Sequence, residues 1–147
     1  MYKRILVATD GSQLSRKAVD DAIDLAAALG AELIALKVVP RYPQSYFEGS
    51  IPLSSDDIAR VEKQWTDDGH QVVEDVKRAG AEKGVAVTPI LARADVVSDA
   101  LIASAKKHEA DLIVMASHGR KGVRRLLLGS ETQQVLTHSE IPVLVLR

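Results

Sequence analysis

Arg120, Lys121, Arg124 and Arg125 put four cations within six residues, and no carboxylate interrupts them. Gly119, Gly122 and Gly129 lie before, among and after them. Residues of these types at this spacing suit the holding of an anion. Glycine lets the main chain approach a ligand closely, so that backbone N–H groups and fixed cations both reach phosphate oxygens. The flanks serve the same end. Leu112-Ile113-Val114-Met115 reads as a buried strand before the loop. Glu131 to Thr137 reads as a helix start after it, with Ser130 as N-cap and Gln133 closing a capping box. The first N–H groups of such a helix lack intrahelical acceptors and sit at the positive end of its dipole. The stretch is read as a phosphate site.

The elements that must position it alternate along the chain. Ile5 to Thr9 is a short buried strand broken by Asp10-Gly11-Ser12. A helix follows from about Leu14 to Leu29, with Ala18, Val19, Ala22, Ile23, Ala26 and Leu29 on one stripe and Gly30 as C-cap. Glu32 to Val39 is a second strand, closed by Pro40. Arg41 to Leu53 holds Pro43, Gly49 and Pro52, and its length suggests a functional lid. Ser54 or Ser55 caps a long helix to about Lys83, its stripe Ile58, Val61, Trp65, Val72, Val76 and Ala79; Gly69 predicts a weak point or bend. Val85 to Leu91 is a third strand, and Asp95 caps a helix running to His108. The phosphate loop, its helix and a last strand, Pro142 to Leu146, complete the chain. Such alternation predicts an α/β fold, a parallel sheet with helices on both faces.

The whole-chain numbers exclude several classes. A length of 147 residues suits one domain, 1–147, with a real core. The net charge of −1 argues against a general nucleic-acid or membrane binder, so any basic site is local. With no cysteine, thiol catalysis and cysteine metal sites are out. No apolar run approaches the roughly 18 residues of a membrane span, and Met1 to Arg4 lacks a signal peptide's character. A cytoplasmic location is expected. No Gly-x4-Gly-Lys-Ser/Thr loop, serine elbow or histidine cluster at ligand spacing occurs, and no catalytic constellation is assigned.

Between Ala116 and Ser130 the order is Ala116-x2-Gly119-x9-Gly129-Ser130. This resembles the universal stress protein family, whose nucleotide-binding members carry Gly-x2-Gly-x9-Gly-Ser/Thr. The opening Lys3-Arg4-Ile5-Leu6-Val7-Ala8-Thr9-Asp10-Gly11-Ser12 and the closing Ile141-Pro142-Val143-Leu144-Val145-Leu146 extend the resemblance over nearly the whole chain. One position departs: Ala116 replaces the first glycine, and its methyl group is harmless only if φ there is negative.

The resemblance implies a Rossmann-like sheet of five parallel strands in the order 3-2-1-4-5. The winding then reverses between strands one and four, where α/β sheets bind ligands. It implies ATP as ligand, with Ala8, Val38 and Met115 beside the adenine. Thr9 and Asp10 lie near the ribose and phosphates, with Asp10 as a possible Mg²⁺ ligand. Ala116, His118, Gly119, Arg120, Gly129, Ser130, Glu131 and Thr132 surround the phosphates. Plainer roles stay open beside these: Gly119 serving a turn, Ser130 only a cap, Asp10 shaping a turn or capping, Ala8, Val38 and Met115 packing the core. Arg124 and Arg125 suit a solvated face. Glu131 would repel phosphate if it turned inward and is expected to face solvent.

The resemblance also implies a homodimer in which Val143 to Leu146 pairs antiparallel with its copy, and an edge strand left bare invites such pairing. The expected function is a nucleotide-dependent switch read by a protein partner, with slow hydrolysis at most. The rival is a nucleotide-independent dimeric scaffold with the pocket altered by Ala116; an ATP-using enzyme is a weaker third.

Overall fold

Ile5, Leu6 and Val7 are fully buried, as are Ile113 and Val114. Runs apolar on both faces belong at the centre of a parallel sheet, where helices cover each side. In the computed structural model, which describes residues 1–41, 54–118 and 128–147, they are the two central strands. The elements are β1 (Arg4–Ala8), α1 (Gln13–Leu29), β2 (Glu32–Val39), α2 (Ser55–Glu82), β3 (Val87–Arg93), α3 (Val97–Lys107), β4 (Leu112–Ala116), α4 (Ser130–His138) and β5 (Val143–Leu146). The strands form one sheet in the order β3-β2-β1-β4-β5, and every pairing is parallel. Class and strand order are those expected.

Alternation along the strands divides the core. Ile5, Val7, Leu33, Ala35 and Val114 pack against Val19, Ile23 and Ala26 of α1 and Val73 and Val76 of α2. Leu6, Leu36, Val38, Ile113 and Met115 pack on the other face against Leu101 and Ala105 of α3 and Val135 of α4. Among the described residues no helix is long and apolar enough to cross a membrane.

Local signals set most boundaries. Ser12 caps α1 by accepting the Ser15 N–H, and Gly30 closes it in the left-handed region at φ 65°. Ser54 caps α2, accepting the Asp57 N–H at 3.2 Å. Three expectations are corrected. The third strand begins at Val87, not Val85, because the Val85 N–H is taken by the Gly80 carbonyl where α2 ends. The buried line of α2 is Gly69, Val73, Val76 and Gly80, one step round from the expected stripe, with Trp65 only half-buried. Gly69 is no weak point either: α2 runs unbroken, and a Cβ there would lie 2.6 Å from Leu91 Cδ1 and 3.0 Å from Val39 Cγ2. The glycine lets the helix lie close on β2 and β3. The expected lid falls on 42–53, outside the described residues; Arg41 before it pairs with Asp95 at 3.9 Å.

Candidate functional site

β1 and β4 are neighbours, with Val7 opposite Val114. β2 and β3 lie on one side of β1, and β4 and β5 on the other. The chain reverses its winding here, so both strand ends open into the crevice where ligands bind.

At the end of β1, buried Thr9 donates its N–H to the Leu36 carbonyl at 2.9 Å and meets Ser15 Oγ with its hydroxyl at 3.1 Å. Asp10 Oδ1 accepts the Ser12 N–H at 2.9 Å, an Asx turn leading into Gly11 at φ 79°. The turn-shaping role of Asp10 is therefore present, while the helix cap itself is Ser12. Sequence reading did not assign Ser12 that cap. Its signal was a serine three residues before the buried Ser15.

At the end of β4, the Ser117 N–H donates to the Leu146 carbonyl, and the Ser117 carbonyl accepts from Gly129 N–H, both at 2.7 Å. This second bond ties the start of α4 to the strand. Gly129 is the N-cap of α4. A Cβ on it would stand 3.2 Å from His118 Cα and 3.3 Å from the Ser117 oxygen, so close approach explains the glycine. Ser130 is consequently the first helical residue rather than the cap. The expected capping box is not made, for Gln133 donates its side-chain amide to the Leu128 carbonyl at 2.9 Å.

Thr132 is buried, and its hydroxyl donates to the Ala116 and Ser117 carbonyls at 3.0 and 3.2 Å. Its side chain thus holds α4 to β4, leaving the main chain for a ligand. Glu131 is exposed, as expected, and also does more. Its Oε2 accepts the Ser98 N–H at 3.1 Å, capping α3 from another helix. Asp95, the expected cap, is not the N-cap; Val96 is, with no side-chain bond of its own. A carboxylate held this way is turned from the α4 terminus, which removes the repulsion expected of an inward Glu131.

Val38 and Met115 lie in the core cluster on the α3 and α4 face, and half-buried Ala8 packs against it. Core packing is therefore real for all three, on the face of the sheet that α4 covers. Ala116 ends β4, and Glu109 is the only described residue other than glycine with positive φ. The backbone at Ala116 therefore makes no demand for glycine. His118 Nδ1 lies 3.1 Å from Ser117 Oγ. Gly119 and Arg120, with Lys121, Arg124 and Arg125, lie outside the described residues.

No group of three or more His, Cys, Asp or Glu that would hold a metal occurs among the described residues. A lone carboxylate such as Asp10 suits Mg²⁺ only in the manner of nucleotide sites, where phosphates and waters supply most ligands.

A parallel 3-2-1-4-5 sheet with a glycine-anchored helix N-terminus at its switch point defines an open α/β protein whose ligand crevice lies beyond the ends of β1 and β4. Residues 1–147 match the universal stress protein family, and the chain belongs to it. It is 34% identical over 149 residues to universal stress protein MJ0531 of Methanocaldococcus jannaschii, covering 100% of this chain and 83% of that one. It is 33% identical to universal stress protein YxiE of Bacillus subtilis, over 100% of both. Among solved structures, a universal stress protein in complex with cAMP is 28% identical with a TM-score of 0.72, over 99% of this chain and 97% of that one.

Proposed function

We propose that the chain is a cytoplasmic stress-response protein that binds ATP, assisted by Mg²⁺, between the ends of β1 and β4 and the start of α4. The observation that carries the reading is the 2.7 Å bond from Gly129 N–H to the Ser117 carbonyl, which fixes a helix N-terminus at the switch point. The free N–H groups of that first turn then meet phosphate oxygens, with Ser130 adding a hydroxyl. The apolar face of Ala8, Val38 and Met115 takes the adenine, and Asp10 takes the metal. Family membership and the relative solved with cAMP support an adenine nucleotide. In this reading bound nucleotide acts as a signal that alters a surface read by a protein partner. Calorimetric titration of nucleotide-free protein with ATP, with and without Mg²⁺, is expected to give saturable binding near one site per chain. No heat in either titration would turn the reading to the scaffold alternative.

The same reading includes a homodimer through β5. The Pro142 and Leu146 main-chain oxygens accept from the β4 side, Pro142 from Ile113 and Leu146 from Ser117, so by alternation Val143 and Val145 direct their N–H and C=O groups outward. Leu144 is 40% exposed beside them. At the opposite edge, β3 meets β2 through Ala86, which by the same alternation turns Pro89 outward, where it offers no donor. One edge is blunted and the other is open. Val145→Pro removes an outward donor without touching the β4 pairing. Light scattering is expected to show a dimer for the natural chain and a monomer for this variant; a dimer in both would rule out β5.

A further inference from the structure

Beside the nucleotide site lies an open cleft of about 650 Å³, lined by Gln13, Leu14, Lys17, Ser117, His118 and Arg147. Its lining comes from the first turns of α1 and from the ends of β4 and β5. Among the described lining residues Leu14 is the one with an apolar side chain, and the aliphatic parts of its neighbours add further apolar surface. Lys17 Nζ donates to the main-chain oxygen of Arg147 at 3.5 Å. Among the described residues, neither the Lys17 nor the Arg147 side chain has a side-chain carboxylate within ion-pair distance. The first turn of α1 carries no acidic residue. Asp10, next to it in sequence, has Oδ1 on the Ser12 N–H. The cleft therefore brings two cationic side chains, Lys17 and Arg147, beside amide, imidazole and hydroxyl groups.

Its position gives it a use. Ser117 lines the cleft and, through its carbonyl, anchors Gly129 at the head of α4. A phosphate at that helix terminus is thus one residue from the cleft, and any further phosphates in the chain have this cationic space to enter. We propose that the Lys17 cleft receives the outer phosphates of a nucleoside triphosphate and so makes the site discriminate by phosphate number. The inference rests on the nucleotide reading above. Lys17 is a strongly hydrated, mobile ammonium whose 3.5 Å contact to Arg147 is weak, and it exchanges readily onto a phosphate oxygen. An AMP phosphate at α4 does not extend into the cleft.

The test is calorimetric titration of the natural chain, Lys17→Ala and Lys17→Arg with ATP and with AMP. Lys17 is exposed, so its replacement is expected to leave the fold intact, which a thermal melt of each variant checks. Lys17→Ala is expected to weaken ATP about tenfold, the loss of one hydrogen bond to a charged group. AMP affinity stays unchanged, and Lys17→Arg restores most of the ATP affinity. Equal loss for both nucleotides, or loss for neither, would overturn the cleft assignment and leave the nucleotide reading standing. Failure of the natural chain to bind either nucleotide would remove both, and the first titration separates that case.

Discussion

Gly129→Val is expected to abolish ATP binding while the protein stays folded. The residue has φ −59°, so the backbone alone tolerates a side chain. The neighbours do not. A Cβ meets His118 Cα at 3.2 Å and the Ser117 oxygen at 3.3 Å, and both are main-chain atoms that cannot swing aside. Valine adds two methyl groups to that crowding. The relief is for the head of α4 to move off β4, which breaks the 2.7 Å Gly129–Ser117 bond. The N–H groups of the first turn then miss the phosphates. Losing two charge-assisted hydrogen bonds corresponds to about a hundredfold or more in affinity. The rest of α4 stays held by Val135, fully buried in the core. Titration with ATP and a thermal melt check the two halves together. Natural affinity in a folded valine variant would mean that the phosphates are held elsewhere.

The largest expected effect on stability lies far from the site. Gly80 is buried in the last turns of α2, where a Cβ would come 2.3 Å from Val87 Cγ2 and 3.4 Å from the Val85 oxygen. Val87 is β-branched and sits in strand β3, packed on the core, so its methyl group has no other rotamer to take without strain. Gly80→Val is expected to destabilise the protein by about 3 kcal/mol, as overpacking does, and to lower the urea midpoint without changing the slope. Gly80→Ala loses less, because alanine recovers about 1 kcal/mol of helix propensity. A valine variant as stable as the natural chain would show that α2 does not lie so close to β3.

These two glycines show where sequence reading stops. The inner strands β1, β2 and β4 were legible because their apolar runs are buried on both faces, and Gly30 announced the end of α1 through a conformation other residues avoid. Gly80 drew no notice and Gly69 passed for a weakness, since what they serve is an approach to strands distant in the chain. The caps divide the same way. Ser54 acts on its own helix and could be recognised, whereas the cap of α3 is Glu131, 33 residues away. In the site, spacing marked Gly129 and Ser130 but placed the cap on Ser130 instead of Gly129, because the contact with Ser117 and His118 carries no local signal. The Lys17 cleft had none at all: its members are scattered over three elements and meet only when β4 and β5 lie beside α1.

The central claim is that nucleotide phosphates sit on the first turn of α4. The most direct measurement is an amide ¹H–¹⁵N spectrum recorded during titration with Mg²⁺-ATP. The account predicts saturating shifts concentrated at Ser117, Ser130, Glu131 and Thr132, with smaller ones at Thr9 and Asp10, and little change at the opposite end of the sheet around Glu32 and Asp111. A spectrum that does not respond, or shifts gathered away from the head of α4, would contradict it.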